Sequence, residues 1–204
     1  MQAVQNLLIL YAGIVLINTG LSAALWVQQK KPLQRALLVV WTASLVAMVT
    51  QAAFSQSPLL IVVGFSFTFF VNVALARLIA DIVSIRFRWL PFGVALAVAY
   101  GISGAASLRG GSFLAVALPV ALAVAAPLLV TALRALTTRW RKLTFSGKAL
   151  CIGCLFFVAH NVDFAFLRNR PELAAVGFTI AILILLALSI FAPAVVLEIV
   201  TEQQ

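Results

Sequence analysis

Charge is scarce in this chain. Of its 204 residues only 9% are charged, Asp and Glu together number 5, and histidine occurs once. Soluble domains carry about 25% charged and about 45–50% apolar residues. Here the apolar share is 64% and the mean hydropathy is +1.16. A water-soluble fold of this length cannot hide so much apolar surface, so the bilayer must act as solvent. The shortage of acids excludes a carboxylate-held catalytic metal cluster, and no HExxH, GxSxG or Walker-type pattern occurs. Lys30, Lys31, Lys142 and Lys148 are the only lysines, and none lies mid-span, which excludes a retinal Schiff base. Cys151 and Cys154 lie within one apolar stretch and are not a secreted disulfide framework. The opening Met1-Gln-Ala-Val-Gln has no basic segment of a signal peptide, and the closing Thr-Glu-Gln-Gln no prenylation motif. No cofactor is expected.

What the chain does have is long apolar runs. Seven are read, at Val4–Val27, Ala36–Phe54, Leu59–Val83, Phe92–Ser107, Phe113–Leu136, Ala149–Leu167 and Leu173–Glu198. Each is near the roughly 20 residues that cross the hydrocarbon core. Backbone groups in lipid must be satisfied within their own segment, so these runs are helices. A membrane β-barrel would show alternating segments of about ten residues instead. The breaks contain Pro32, Pro58, Pro91, Gly110, Gly111 and Pro171. Pro119, Pro127 and Pro193 lie inside runs and predict kinks. The expected fold class is all-α: a single seven-helix transmembrane bundle over the whole chain, without a visible internal repeat.

The basic residues between runs set an orientation. The first, third and fifth loops hold Lys30, Lys31 and Arg35; Arg86 and Arg88; and Arg139, Arg141, Lys142 and Lys148, with Arg134 just inside the preceding run. The second loop has none, the fourth only Arg109, and the sixth Arg168 and Arg170. The positive-inside rule then places the odd loops and the C-terminus in the cytoplasm and the N-terminus outside. The same rule, with anionic headgroups, accounts for the net charge of +9 without nucleic acid. The bilayer is the first partner, and the short loops leave any ligand to meet the helices themselves.

Ionisable groups inside a span are costly and are candidates for function. His160, Asn161 and Asp163 form the sharpest cluster; His160 and Asp163, three apart, share a helix face. They read either as a sensing site or as a structural tie to a neighbour. Arg77 and Asp81, four apart, read as an intrahelical ion pair or as a latch to the cytoplasmic ends of other helices. Asn72, Gln51, Tyr100 and Asn18, with Ser66 and Thr68, read as interhelical hydrogen-bonding groups, or with His160 as the lining of a polar pocket in the outer half. Cys151-Ile-Gly-Cys154 has CxxC spacing but too few soft ligands nearby for a metal, and small residues easing helix packing is the preferred reading. Phe65, Phe67, Phe69 and Phe70 read as lipid-facing or core rather than as a ligand cage.

The stretch His160-Asn-Val-Asp-Phe-Ala-Phe-Leu-Arg168, followed by Pro171 and Gly177-Phe, resembles a segment of the membrane input domains of bacterial sensor histidine kinases and diguanylate cyclases. Those read His-x-x-Asp-Tyr-Pro-Phe-Leu-Arg between their last two spans; here Phe164 stands for the tyrosine and Ala165 for the proline. The resemblance covers about twenty residues and implies a sensor of the bacterial inner membrane without identifying its stimulus; a small or hydrophobic ligand is the candidate partner. It also implies a cytoplasmic output module or partner protein beyond the polar end of the last span, and it leaves room for a homodimer. On this reading His160 and Asp163 lie at the sensing end, and Arg77 and Asp81 at the switch end. A small transporter or channel is the alternative, and an enzyme using His160 and Asp163 as an acid–base pair ranks behind both.

Overall fold

The computed structural model describes residues 2–54, 57–168 and 170–202. These are helical nearly throughout: α1 (Gln2–Gln29), α2 (Pro32–Ala53), α3 (Pro58–Ser66), α4 (Thr68–Ile82), α5 (Leu90–Leu108), α6 (Phe113–Arg139), α7 (Phe145–Leu167) and α8 (Ala174–Glu202). No strand occurs among the described residues. Taking α3 and α4 together, seven helical segments are long and apolar enough to cross a membrane. Their flanks carry large apolar side chains that are mostly uncovered by protein, among them Ile9, Ile17, Val98, Leu183 and Ile190. So continuous an apolar coat is the surface of a multi-pass membrane protein rather than of a soluble one.

Local chemistry sets where the helices begin. Ser57, Ser112 and Thr144 cap α3, α6 and α7, each accepting a backbone N–H three residues on. Pro32 and Pro58 occupy first-turn positions, where the missing N–H is no loss. Gly110 (φ 68) closes α5 in the left-handed conformation while Gly111 N–H bonds Ala106 O. The fifth break is shorter than the expected 137–148, because α6 runs to Arg139 and a short 3-10 turn, Trp140–Lys142, leads almost directly into α7. Part of the second break, residues 55–56, lies outside the described residues. α6 stays helical through Pro119 and Pro127, and Thr131 Oγ1 donates to the Pro127 carbonyl at 2.8 Å.

The third span departs from its expected single helix. It is interrupted at Phe67, whose N–H bonds Gly64 O in a tightened turn. Nothing at position 67 itself breaks a helix. The residues on either side are tied to other helices: Ser66 accepts from Tyr100 of α5, and Thr68 accepts from Gln51 of α2 at 3.1 Å. Gly64 lets α3 lie against α2, since a Cβ there would meet Phe54 Cβ and Thr50 O at 3.0 Å. Gly64→Ala should therefore lower stability by about 1 kcal/mol, the low end for overpacking, because one contact is backbone and cannot rotate away. Equilibrium unfolding in mixed micelles checks this, and an unchanged midpoint would show that α3 slides freely along α2.

α4 and α6 hold the centre. Leu75, Ala76, Leu78 and Ile79 of α4 and Val120, Val124, Leu128 and Ala132 of α6 are completely covered. Lipid tails are as apolar as leucine, so close packing of small residues and polar ties hold such helices together. α6 packs with Ala117, Ala121 and Ala125, and α7 with Gly153, Cys151 and Cys154, whose free thiols sit in the core as small residues. Asn18 Nδ2 donates to Ser189 Oγ at 3.0 Å, joining α1 to α8. α5 is peripheral: it packs chiefly on α6 and buries little beyond Ala99 and Ser103.

Candidate functional site

A cavity of about 400 Å³ runs between α1, α2, α3, α4, α7 and α8. It begins where α2 and α7 finish, beside Gln51 and Arg168, and reaches past the middle of the bundle to Leu75 and Ala192. One face of each helix builds it. From α8 come Phe178, Ala181, Leu185, Leu188 and Ala192, at helical spacing. From α7 come Phe157, His160, Asn161 and Phe164, with Arg168 just past its end. The volume lies within the roughly 300–1,000 Å³ of small-molecule sites, and the mostly apolar wall with few polar groups is their usual chemistry.

His160 Nδ1 lies 3.1 Å from Oδ1 and 3.3 Å from Oδ2 of Asp163, with hydrogen-bond geometry to Oδ2. Asp163 is not on the cavity wall, so the carboxylate stands behind the ring and orients it. Asn161 Nδ2 donates to Asn72 Oδ1 at 3.2 Å, and Asn72 Nδ2 to Thr68 O at 3.1 Å. Both asparagines are buried, at 2% and 0% exposure. Gln51 joins the same layer through Thr68 Oγ1. A polar belt thus ties α2, α4 and α7 at one level of the cavity.

The expected site residues divide. Gln51, His160 and Asn161 line the cavity; Asn72 and Asp163 support it from behind. Tyr100 stands apart, bonded to Ser66 on the α3–α5 side. Arg77 and Asp81 pair at 2.9 Å across one helical turn, with side chains 59% and 35% exposed, and bond no other helix among the described residues. The bond between helices at that end is elsewhere. Glu198 of α8 accepts from Thr144 (2.7 Å) and from Ser146, both at the start of α7. A carboxylate there also meets the positive end of the α7 dipole.

Sequence reasoning missed Glu198, and it missed most of the wall: Tyr11, Trp41, Ser44 and Phe178. Phe65, read as lipid-facing or core, stacks on Phe164 with ring centroids 3.9 Å apart, and both line the cavity. The acid near the end of α8 and the Thr-x-Ser opening of α7 were the only signals for the Glu198 contact. A second, shallower hollow at the Glu198 end is edged by Arg86, Arg88 and Arg134.

Fold and site together define a polytopic helical membrane protein with an apolar cavity, polar at one end, inside the bundle. No protein-family model, no curated protein and no solved structure matches the chain.

Proposed function

We propose that the chain is the sensor module of a bacterial inner-membrane signalling protein, N-terminus outside and C-terminus cytoplasmic. A ligand in the cavity would bias the packing of α7 and α8, and α8 would pass the change to a cytoplasmic output module. The observation that carries this is the reach of two helices. α7 and α8 both form the cavity wall at the Arg168 end, and Glu198 clamps them together at the other. On this reading the bases of the first, third and fifth loops support a clamp on the cytoplasmic side. The short resemblance at His160–Arg168 supports the same reading. A ligand shifts such a balance only through unequal affinity for two packings, and the cavity is where that inequality would arise.

Filling the cavity should mimic the ligand. In Ala181→Phe, spin labels at Phe145→Cys and Thr201→Cys, both exposed positions, should report a shift of about 1–2 Å between α7 and α8. Cys151 and Cys154 are buried and stay unlabelled. Glu198→Ala should abolish the shift. A distance distribution identical in filled and unfilled protein would sink the sensor reading.

One observation favours the alternative, a small-solute transporter or channel: the helix break at Phe67 beside the cavity, since broken helices mark transporter sites. The break is a single residue with helical dihedrals, φ −62 and ψ −20. It exposes little backbone, so it weighs less than the α7–α8 arrangement. Solute flux into proteoliposomes separates the two readings.

A further inference from the structure

The cavity is long, and its two basic groups, His160 and Arg168, lie towards one end. Along α8 its lining runs from Phe178 to Ala192, a rise of roughly 20 Å. A cavity of about 400 Å³ that extends so far along one helix, with a mostly apolar wall, suits the extended body of an alkyl chain. The ionisable groups on its wall are Tyr11, His160 and Arg168, and no carboxylate is among them. Arg168, the residue just past the end of α7, makes no ion pair or hydrogen bond with a described side chain. His160 spends Nδ1 on Asp163, and its other ring nitrogen has no hydrogen bond among the described residues. The deeper wall is mostly apolar, with Val71, Leu75, Leu185 and Leu188 beside Trp41 and Ser44, and carries no charged group.

We propose that the cavity takes a single-chain amphiphile with an acidic head group, its head between Arg168 and His160 and its alkyl body along α8. This deepens the sensor reading and rests on it for its physiological meaning. A guanidinium accepts a carboxylate or phosphate in a charge-assisted, often bidentate pair, which an alcohol head cannot form. The same chemistry is offered by a free fatty acid from the water and by an anionic lysolipid of the bilayer.

Trp41 supplies the readout. It lines the cavity and is 2% exposed, whereas Trp26, Trp89 and Trp140 are 37%, 58% and 47% exposed. With those three changed to phenylalanine, Trp41 is the sole indole. In phosphatidylcholine nanodiscs, decanoic acid should change its emission saturably, with decanol about tenfold weaker at equal mole fraction in the lipid. Arg168→Gln should bring decanoate down to the level of decanol, and Arg168→Lys should keep most of the preference. Lysophosphatidylglycerol in the discs forms the second arm. A response to it with the same Arg168 dependence assigns the ligand to the bilayer, and a response to decanoate alone assigns it to the water. Equal affinity for acid and alcohol with Arg168→Gln silent, or no saturable change with any of the three probes, overturns the proposal. Binding is read without any signalling step. Decanoate binding with no movement at Glu198 would remove the sensor reading and leave the ligand class. Movement on filling, with no binding, would do the reverse.

Discussion

Trp41→Ala should lower the stability of the bundle by about 3 kcal/mol, and Trp41→Phe by less than half of that. Trp41 is buried at 2% exposure, in the core shared by α1, α2, α4 and α8. Truncation removes most of a large ring, and the space left merges with the existing cavity, so neighbours cannot collapse to fill it. The figure sits at the low end of the usual range for such truncations because the reference state is helices in lipid. Transfer out of water then contributes little, and lost contacts contribute most. The indole N–H has no hydrogen-bond partner among the described residues. Such an orphaned donor costs about 1–3 kcal/mol, and phenylalanine removes it while keeping much of the ring. Unfolding in mixed micelles distinguishes these terms. Equal losses for the two variants would mean that ring packing contributes little and that the N–H, absent from both, has a partner whose loss decides.

The asparagine pair carries the second large effect. Asn161→Leu should cost about 2 kcal/mol, since it leaves Asn72 Oδ1 without its donor at a position with 0% exposure. Asn72→Leu should cost a similar amount. The double variant should be milder than the sum, with a coupling of about 0.6 to 1.7 kcal/mol, between the average and the maximum for hydrogen bonds between membrane helices. The reason is asymmetry: a lone amide buried among apolar groups has nowhere to bond, whereas two leucines of similar size simply pack. Strict additivity in the cycle would show that the two amides stand close without interacting. Asn161 also lines the cavity, so the single variant should change the Trp41 emission of the unliganded protein while the stability cycle stays independent of any ligand.

Much of the architecture was legible before any coordinates. Apolar length alone forces helices in a bilayer, and the seven segments fall where hydropathy places them, with ends displaced by caps and a short 3-10 turn. Pairs closed within one helix were legible too. His160–Asp163 and Arg77–Asp81 follow from three- and four-residue spacing, and both form. The break at Phe67 was not, and neither were the contacts beside it, where Tyr100 and Gln51 reach Ser66 and Thr68 from two other helices. Tyr100 was grouped with His160 by polarity, yet α5 lies outside the cavity. Mean hydropathy gives no azimuth when every face of a helix is apolar.

The sequence by itself determined the class of structure: composition excludes water as the solvent, and each segment must satisfy its own backbone. It also determined the contacts that one helix makes with itself. Only the tertiary structure decided which faces meet, and with them the cavity, the Asn72–Asn161 bond and the Glu198 clamp across 54 residues. The physical reason is that helices in lipid sort by shape and by a few polar groups. Those preferences become unique only when all the helices are packed at once.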